Sequence, residues 1–460
     1  MIGKYSRLTF RNGLFVSEVP SASNATIIDR YTDFGLETKT YKNVYALPRL
    51  TDSHIHLFGL GMRLDMLSFD DNDSANEVAQ KCLKYSGERR GEWIVGFGWS
   101  GVSAGLLSRR ILDEYVPNSP VYLIKSDGHD VCCNSLALKI AGIESASGIL
   151  GGEAKEKMYA CIPPYERRQE KKLLQNAINI LRAHGIGSIC DFDPEMHTIE
   201  ALFDLEHEDK LPINIYLYLN YKNYKYYCAQ HSDTQHIKLR GVKYYADGTL
   251  GSHSAAISLP YKDKSAQDEL LQSPKMLLQE MMFADNCGLD FAIHCIGDRA
   301  NALVAEAAVQ ARRNDVTGII RVEHCQVLQD RDVMKFADAN VVASVQPSHY
   351  IDDLKVGLLE KVLPPELLKY AYRWKYLKDK GVRMIAGSDS PVATADPARG
   401  INAFLHGRGG ESLEIDDAIR CYSDEPRELL ALNTPKYDDG VILYSDAKSF
   451  EIKQIIKVEK

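Results

Sequence analysis

The chain has 460 residues, 45% apolar and 26% charged, with a formal net charge of −8 and a pI near 5.9. That is the composition of a globular chain long enough for a large barrel with additions, and it argues against a disordered one. Its acidic balance repels a phosphate backbone, so nucleic acid is not expected as a partner. No run of eighteen apolar residues offers a transmembrane helix.

Residues 1–48 read as short strands in RLTFRNGLFVSE, NATIIDRY and TKTYKN, without the apolar core of a signal peptide. With residues 436–460, which read as two further strands, they are expected to form a composite β-sandwich. Between them, eight apolar and β-branched runs each end in polar residues. They are YALPRLTDSHIH ending at His56, GIGSICDFD from Gly185, PINIYLYLN from Pro212 and RGVKYYAD from Arg240. The other four are DFAIHCIGD from Asp290, IIRVEHCQ from Ile319, NVVASVQPS from Asn340 and VRMIAGSDS from Val382. Helical segments such as KKLLQNAINILRAHG and SPKMLLQEMMFADNCG separate them and stop at Gly. Strands alternating with helices predict an α/β chain, a (β/α)8 TIM barrel over residues 49–435. An insertion at about 60–165 follows the first strand and carries WIVGFGW, PVYLIKSDG and NSLALKIAG. A competing reading makes PVYLIKSDG a barrel strand, but the other eight suffice without it.

In barrel enzymes the C-terminal strand ends form the active face. His54 and His56 end the first strand with alternate spacing, so both can aim inward. Lys243 lies in an apolar fourth strand, where a charged amine is costly to bury without a partner or modification. His294, His324 and Asp389 end the fifth, sixth and eighth strands. Alone, each has an ordinary reading: a hydrogen-bonded core histidine, a paired lysine, a helix-capping aspartate. Together, metal-competent side chains at one end of five strands point to a metal centre. Ten cysteines include no C-x-x-C pair, which fits a reducing cytoplasm. Cys295 and Cys325 adjoin His294 and His324 and are expected to face the opposite way as packing residues.

The motifs DSHIH, KSDGHD with NSLALKIAGI, VKYYADGTLGS, AIHCIGDRA, RVEHCQ, SVQPSH and GSDSPV together resemble the amidohydrolase superfamily. More narrowly they resemble its YtcJ-like and N-substituted formamide deformylase-like branch. The resemblance covers most of the chain and implies a distorted barrel with two divalent metals, zinc first, with manganese and iron as alternatives. It carries over His54, His56, Lys243 as a CO2-derived carbamate, His294, His324 and Asp389 as ligands. It implies hydrolysis of an amide-type C–N bond in a small molecule of the N-acyl or N-formyl amine class, with Asp389 as proton shuttle. His129 joins Asp389 as a catalytic candidate. His129, His349, Trp99 and His253 are candidates for substrate contact, and Asp247 and Asp298 for orienting ligands. The chain departs from the family at His253, where Arg is usual, at Ser390, where Trp is common, and at Cys132 and Cys133. Oligomeric state stays open in the sequence, a symmetric homodimer being one assembly that enzymes of this kind often form. Lactone, phosphotriester or ring C–N hydrolysis, and a non-catalytic scaffold, are the rival readings.

Overall fold

Strands buried on both faces read as near-continuous apolar runs, and that is how the central sheet of this chain is written. The first barrel strand, Leu50–Ile55, is buried at every position. Next come Ile186–Phe192, Asn214–Leu219, Ile237–Tyr245, Asp290–Cys295, Ile320–His324, Val342–Val345 and Arg383–Ala386. The eight lie in chain order in one sheet, every neighbouring pair parallel. A parallel bridge from Ile55 to Ser390 joins the first strand to the segment after the eighth and closes the ring. The protein is therefore a (β/α)8 barrel. The computed structural model describes residues 7–11, 14–18, 24–32, 35–42, 45–70, 72–88, 91–100, 107–126, 128, 130–263, 270–430, 440–445 and 449–457.

The helices between strands follow their local signals. Pro274–Asn286 starts where the Ser273 side chain accepts the Met276 amide, with Pro at the first turn. Asp298–Arg313 buries Ala300, Val304, Ala307, Ala308 and Ala311, a helical spacing that seats small side chains on the barrel.

At the closing seam the first and eighth strands come close enough to need a glycine. A Cβ on Gly387 would lie 2.3 Å from the His54 amide nitrogen. Asp389 N donates to His54 O at 2.7 Å and His56 N to Ser390 O at 2.9 Å.

The run YALPRLTDSHIH divides at Arg49. Tyr45–Pro48 leaves the barrel and pairs antiparallel with Gly440–Ser445, which pairs in turn with Glu451–Lys457. The two chain ends therefore share a three-stranded sheet. Strands Leu14–Glu18, Arg7–Arg11, Asn24–Thr32 and Gly35–Lys42 make a separate four-stranded one.

Gly61–Leu173 forms a second compact unit. Its sheet runs in the order Ile149–Leu150, Val131–Cys133, Val121–Lys125, Ile94–Trp99, Leu67–Ser68. PVYLIKSDG thus supplies a strand of this sheet and not of the barrel. Asn134 caps the helix Ser135–Ala141, and Gly142 ends it at φ 60°. No helix among the described residues is long and apolar enough to cross a membrane.

Candidate metal centre

Strand alternation aims His54 into the barrel. There its ring stacks on Phe192 at 4.0 Å between centroids, and Phe192 stacks on Tyr218 at 4.7 Å. His54 Nδ1 meets Glu323 Oε2 at 2.6 Å, leaving Nε2 to face Asp389 Oδ1 at 3.5 Å. His56 lies just beyond the strand. Its Nδ1 is held by the Phe192 carbonyl at 2.8 Å, and its Nε2 lies 3.2 Å from the same Asp389 oxygen.

His324 needs more than alternation. Arg321 and Glu323 share one strand face, and simple alternation would send His324 the other way, with Val322. Positive φ values at His324 (75°) and Cys325 (47°) break the pattern. His324 is instead stacked edge-on against His294 at 4.4 Å, with its Nδ1 held by Gln346 Oε1 at 2.7 Å. Asp389 also sits at positive φ, 56°. Non-glycine residues in this region cost about 1–3 kcal/mol each, strain that collects at functional sites. His294 Nε2 is occupied by the Gly248 carbonyl at 3.1 Å, so Nδ1 is its uncommitted nitrogen.

Ligand atoms of His54, His324 and Asp389 all lie within 4.8 Å of one another. His56 joins this group through Asp389 and His294 through His324. Lys243 is buried, its ammonium 4.7 Å from the centre of the Phe192 ring and 5.1 Å from that of Tyr245. Among the described residues it makes no ion pair within 4 Å.

The electrostatics suit a cation. Burial lowers the affinity of His54 for a proton, against the opposing pull of Asp389 and Glu323, to a pKa of about 4. Burial and Lys243 bring His294 to about 4 as well. Both rings are neutral at pH 7 and offer lone pairs. Burial works to raise Asp389, but the imidazoles of His54, His56, His324 and His349 outweigh it and hold the carboxyl well below its usual range. Burial likewise lowers Lys243, leaving more neutral amine than an exposed lysine has. Imidazoles with one nitrogen tethered and the other aimed at a shared carboxylate make a donor set that fits divalent metal.

His349, on the helix Pro347–Val356, aims Nε2 at Asp389 Oδ2 from 3.6 Å, and this buried nitrogen has no hydrogen-bond partner among the described residues. Asp247 accepts from the amides of Ile296, Gly297 and Ala256 and lies 3.9 Å from His294 Nε2. Asp298 is committed to Ser258 and Gln329. Cys295 and Cys325 lie in the apolar core. His253 pairs with Asp263 at 2.8 Å. Trp99 is 5% exposed inside the inserted unit, its indole N–H donated to Leu123 O at 3.0 Å. His129 and Asp127 lie outside the described residues.

Sequence reasoning missed the Arg321–Glu323 pair. Arg321 Nε meets Glu323 Oε1 at 2.6 Å, while Arg321 also donates to Ser53 O and Ser344 Oγ, and both members of the pair are fully buried. Their i, i+2 spacing in IRVEH was the available signal.

A closed parallel barrel bearing histidines and a carboxylate at the C-terminal strand ends defines a class, the metal-dependent barrel hydrolases. More particularly, the chain belongs to the amidohydrolase family, whose model matches residues 42–437. It is 28% identical to Protein LONG AFTER FAR-RED 3 of Arabidopsis thaliana, over 78% of this chain and 68% of that one. It is 23% identical to the putative amidohydrolase YtcJ of Bacillus subtilis (strain 168), over 86% of this chain and 82% of that one. Among solved structures, an uncharacterized metal-dependent hydrolase from Pyrococcus horikoshii superposes with a TM-score of 0.75 at 26% identity, covering 88% of this chain and 86% of that one. A second, from Pyrococcus furiosus, shares the fold with a TM-score of 0.75 at 23% identity, covering 95% of this chain and 97% of that one.

Proposed function

We propose that the protein hydrolyses an amide-type C–N bond in a small molecule of the N-acyl or N-formyl amine class. The reading rests on one carboxylate, Asp389, placed 3.2 to 3.6 Å from the Nε2 atoms of His54, His56 and His349. His54, His56, His294, His324 and Asp389 would hold two divalent ions, zinc first, with Lys243 as a carbamate completing the set. Such ions, when bound, acidify water toward a pKa of about 7 and polarise a carbonyl.

The rest is the work of this chain's own groups. Asp389 is ionised and takes the proton of the attacking water on a carboxylate oxygen. It returns that proton to the leaving nitrogen, which departs as the amine. His349 Nε2 faces the other Asp389 oxygen and orients the carboxylate or a substrate carbonyl. The Lys243 amine, favoured as neutral by burial, attacks CO2. A C–N bond forms, the nitrogen gives up its proton to water, and an anionic carbamate replaces a buried cation.

Metal removal by chelation, followed by titration with Zn2+, Mn2+ or Fe2+, tests the reading. The assay is a panel of N-formyl and N-acetyl amines beside a lactone and a phosphotriester. Metal-restored turnover of the amides, at least about tenfold above the other two in kcat/KM, is expected. Turnover confined to the lactone or phosphotriester overturns the amide assignment.

A further inference from the structure

The cavity beside Asp389 encloses about 260 Å³ and is lined by His294, His324, Gln326, His349 and Asp353, with Thr249, Leu250 and Val392 among the rest. The chemistry above leaves one part of this lining unused. His349 and Asp353 stand four residues apart on the helix Pro347–Val356, so their side chains share a face. His349 reaches Asp389, and Asp353 stands about 6 Å further along the helix axis.

Asp353 Oδ2 accepts from Tyr372 OH at 2.6 Å and from Gln326 Nε2 at 2.8 Å, and Gln326 Nε2 also contacts Tyr372 OH at 2.7 Å. This triangle fixes the carboxylate and the amide but uses only one oxygen and one nitrogen. Asp353 Oδ1 and Gln326 Oε1 accept no hydrogen bond from the described residues, although Gln326 is only 7% exposed. Asp352, next in sequence, differs: Arg399 holds both its oxygens, at 2.6 and 3.1 Å. Among the described residues no lysine or arginine lines the cavity.

We propose that Asp353 and Gln326 form a subsite for a nitrogen cation on the substrate, an ammonium, amidinium or guanidinium group. Two fixed acceptors without donors among the described residues, one of them a carboxylate, match a positive group carrying several N–H bonds. A substrate carboxylate placed there would meet acceptors only, without a donor to pair it. The inference rests on the hydrolase reading for taking the cavity's occupant to be the substrate, and it narrows the substrate to cationic amides.

The test is calorimetric binding of n-butylguanidinium and its neutral isostere n-butylurea to the metal-loaded protein. The guanidinium ion is expected to bind at least about tenfold more tightly. Asp353→Asn removes that preference, whereas Asp352→Asn keeps it within about twofold, because Arg399 already neutralises that carboxylate. Equal binding of the two probes by the unmodified protein overturns the proposal without any variant. A preference that survives Asp353→Asn, or is lost in Asp352→Asn, overturns it too. If the amide panel fails while the Asp353-dependent preference holds, the amide assignment falls and the subsite stands. If the panel succeeds without the preference, the reverse is true.

Discussion

The barrel mouth and the inserted unit both bury polar side chains, and they use them in opposite ways. In the inserted unit Asn134 is saturated. Its oxygen accepts from the Val121 and Ala137 amides at 3.1 and 3.0 Å, and its nitrogen donates to the Val116 and Ser119 carbonyls, both at 2.9 Å. Every partner is backbone, so the side chain serves architecture alone. In the barrel the chain Arg321–Glu323–His54 is satisfied from behind and ends in an imidazole nitrogen facing Asp389. A buried polar group completed on all sides is scaffold, while one completed on a single side keeps an atom open to a ligand.

The strongest way to break this contrast is Asp389→Asn. It should lower kcat by about 10²- to 10⁴-fold while the melting temperature changes little, because only the open side of the network is altered. Retained turnover at full metal occupancy would contradict the proton-transfer role. Glu323→Gln acts on the closed side and should do both kinds of damage. Stranding the buried Arg321 charge is expected to cost about 3–5 kcal/mol in urea unfolding. A loosened His54 should weaken metal affinity about 10- to 100-fold, measured by competition with a chelator. Asn134→Ala should cost about 2–3 kcal/mol through a lost cap and stranded backbone groups, with turnover per folded molecule unchanged.

The smallest effect sharpens the rule. On the helix Pro274–Asn286, Glu280 Oε2 is buried without a hydrogen-bond partner among the described residues, and burial pushes the carboxyl up to about 7. Here the open side faces no ligand, so it is only a cost. The folded state holds this proton to higher pH than the unfolded chain does, so stability falls as pH rises from about 4.5 through about 7. Glu280→Gln should be indistinguishable from the parent below pH 4.5, gain on it across that window and level off above it, in melts at fixed ionic strength. A constant offset at every pH would show that desolvation is not the cause.

Much of the barrel was legible because doubly buried strands leave an unambiguous apolar record, and parallel pairing requires a long connection after each. What hid was register and direction. YALPRLTDSHIH reads as one strand, yet Tyr45–Pro48 and Leu50–Ile55 belong to different sheets, a division that pairing partners far along the chain decide. The residue types at the strand ends could be read from sequence, but the turning of His324 could not. Alternation predicts the wrong face for that ring, and the positive φ that corrects it has no glycine to announce it. The Asp353–Gln326–Tyr372 triangle was equally hidden, because its members lie 19 to 46 residues apart and meet only once two loop segments pack against the helix Pro347–Val356.

The ring closes where Gly387 lets the eighth strand lie against the first, and the same few residues carry His54, His56 and Asp389. Any breathing motion that unzips this join must pull the carboxylate from its imidazoles at the same moment. Topology and the cluster of Asp389 with its imidazoles here share one latch, so a chain that has not finished wrapping its last strand has not yet assembled that cluster.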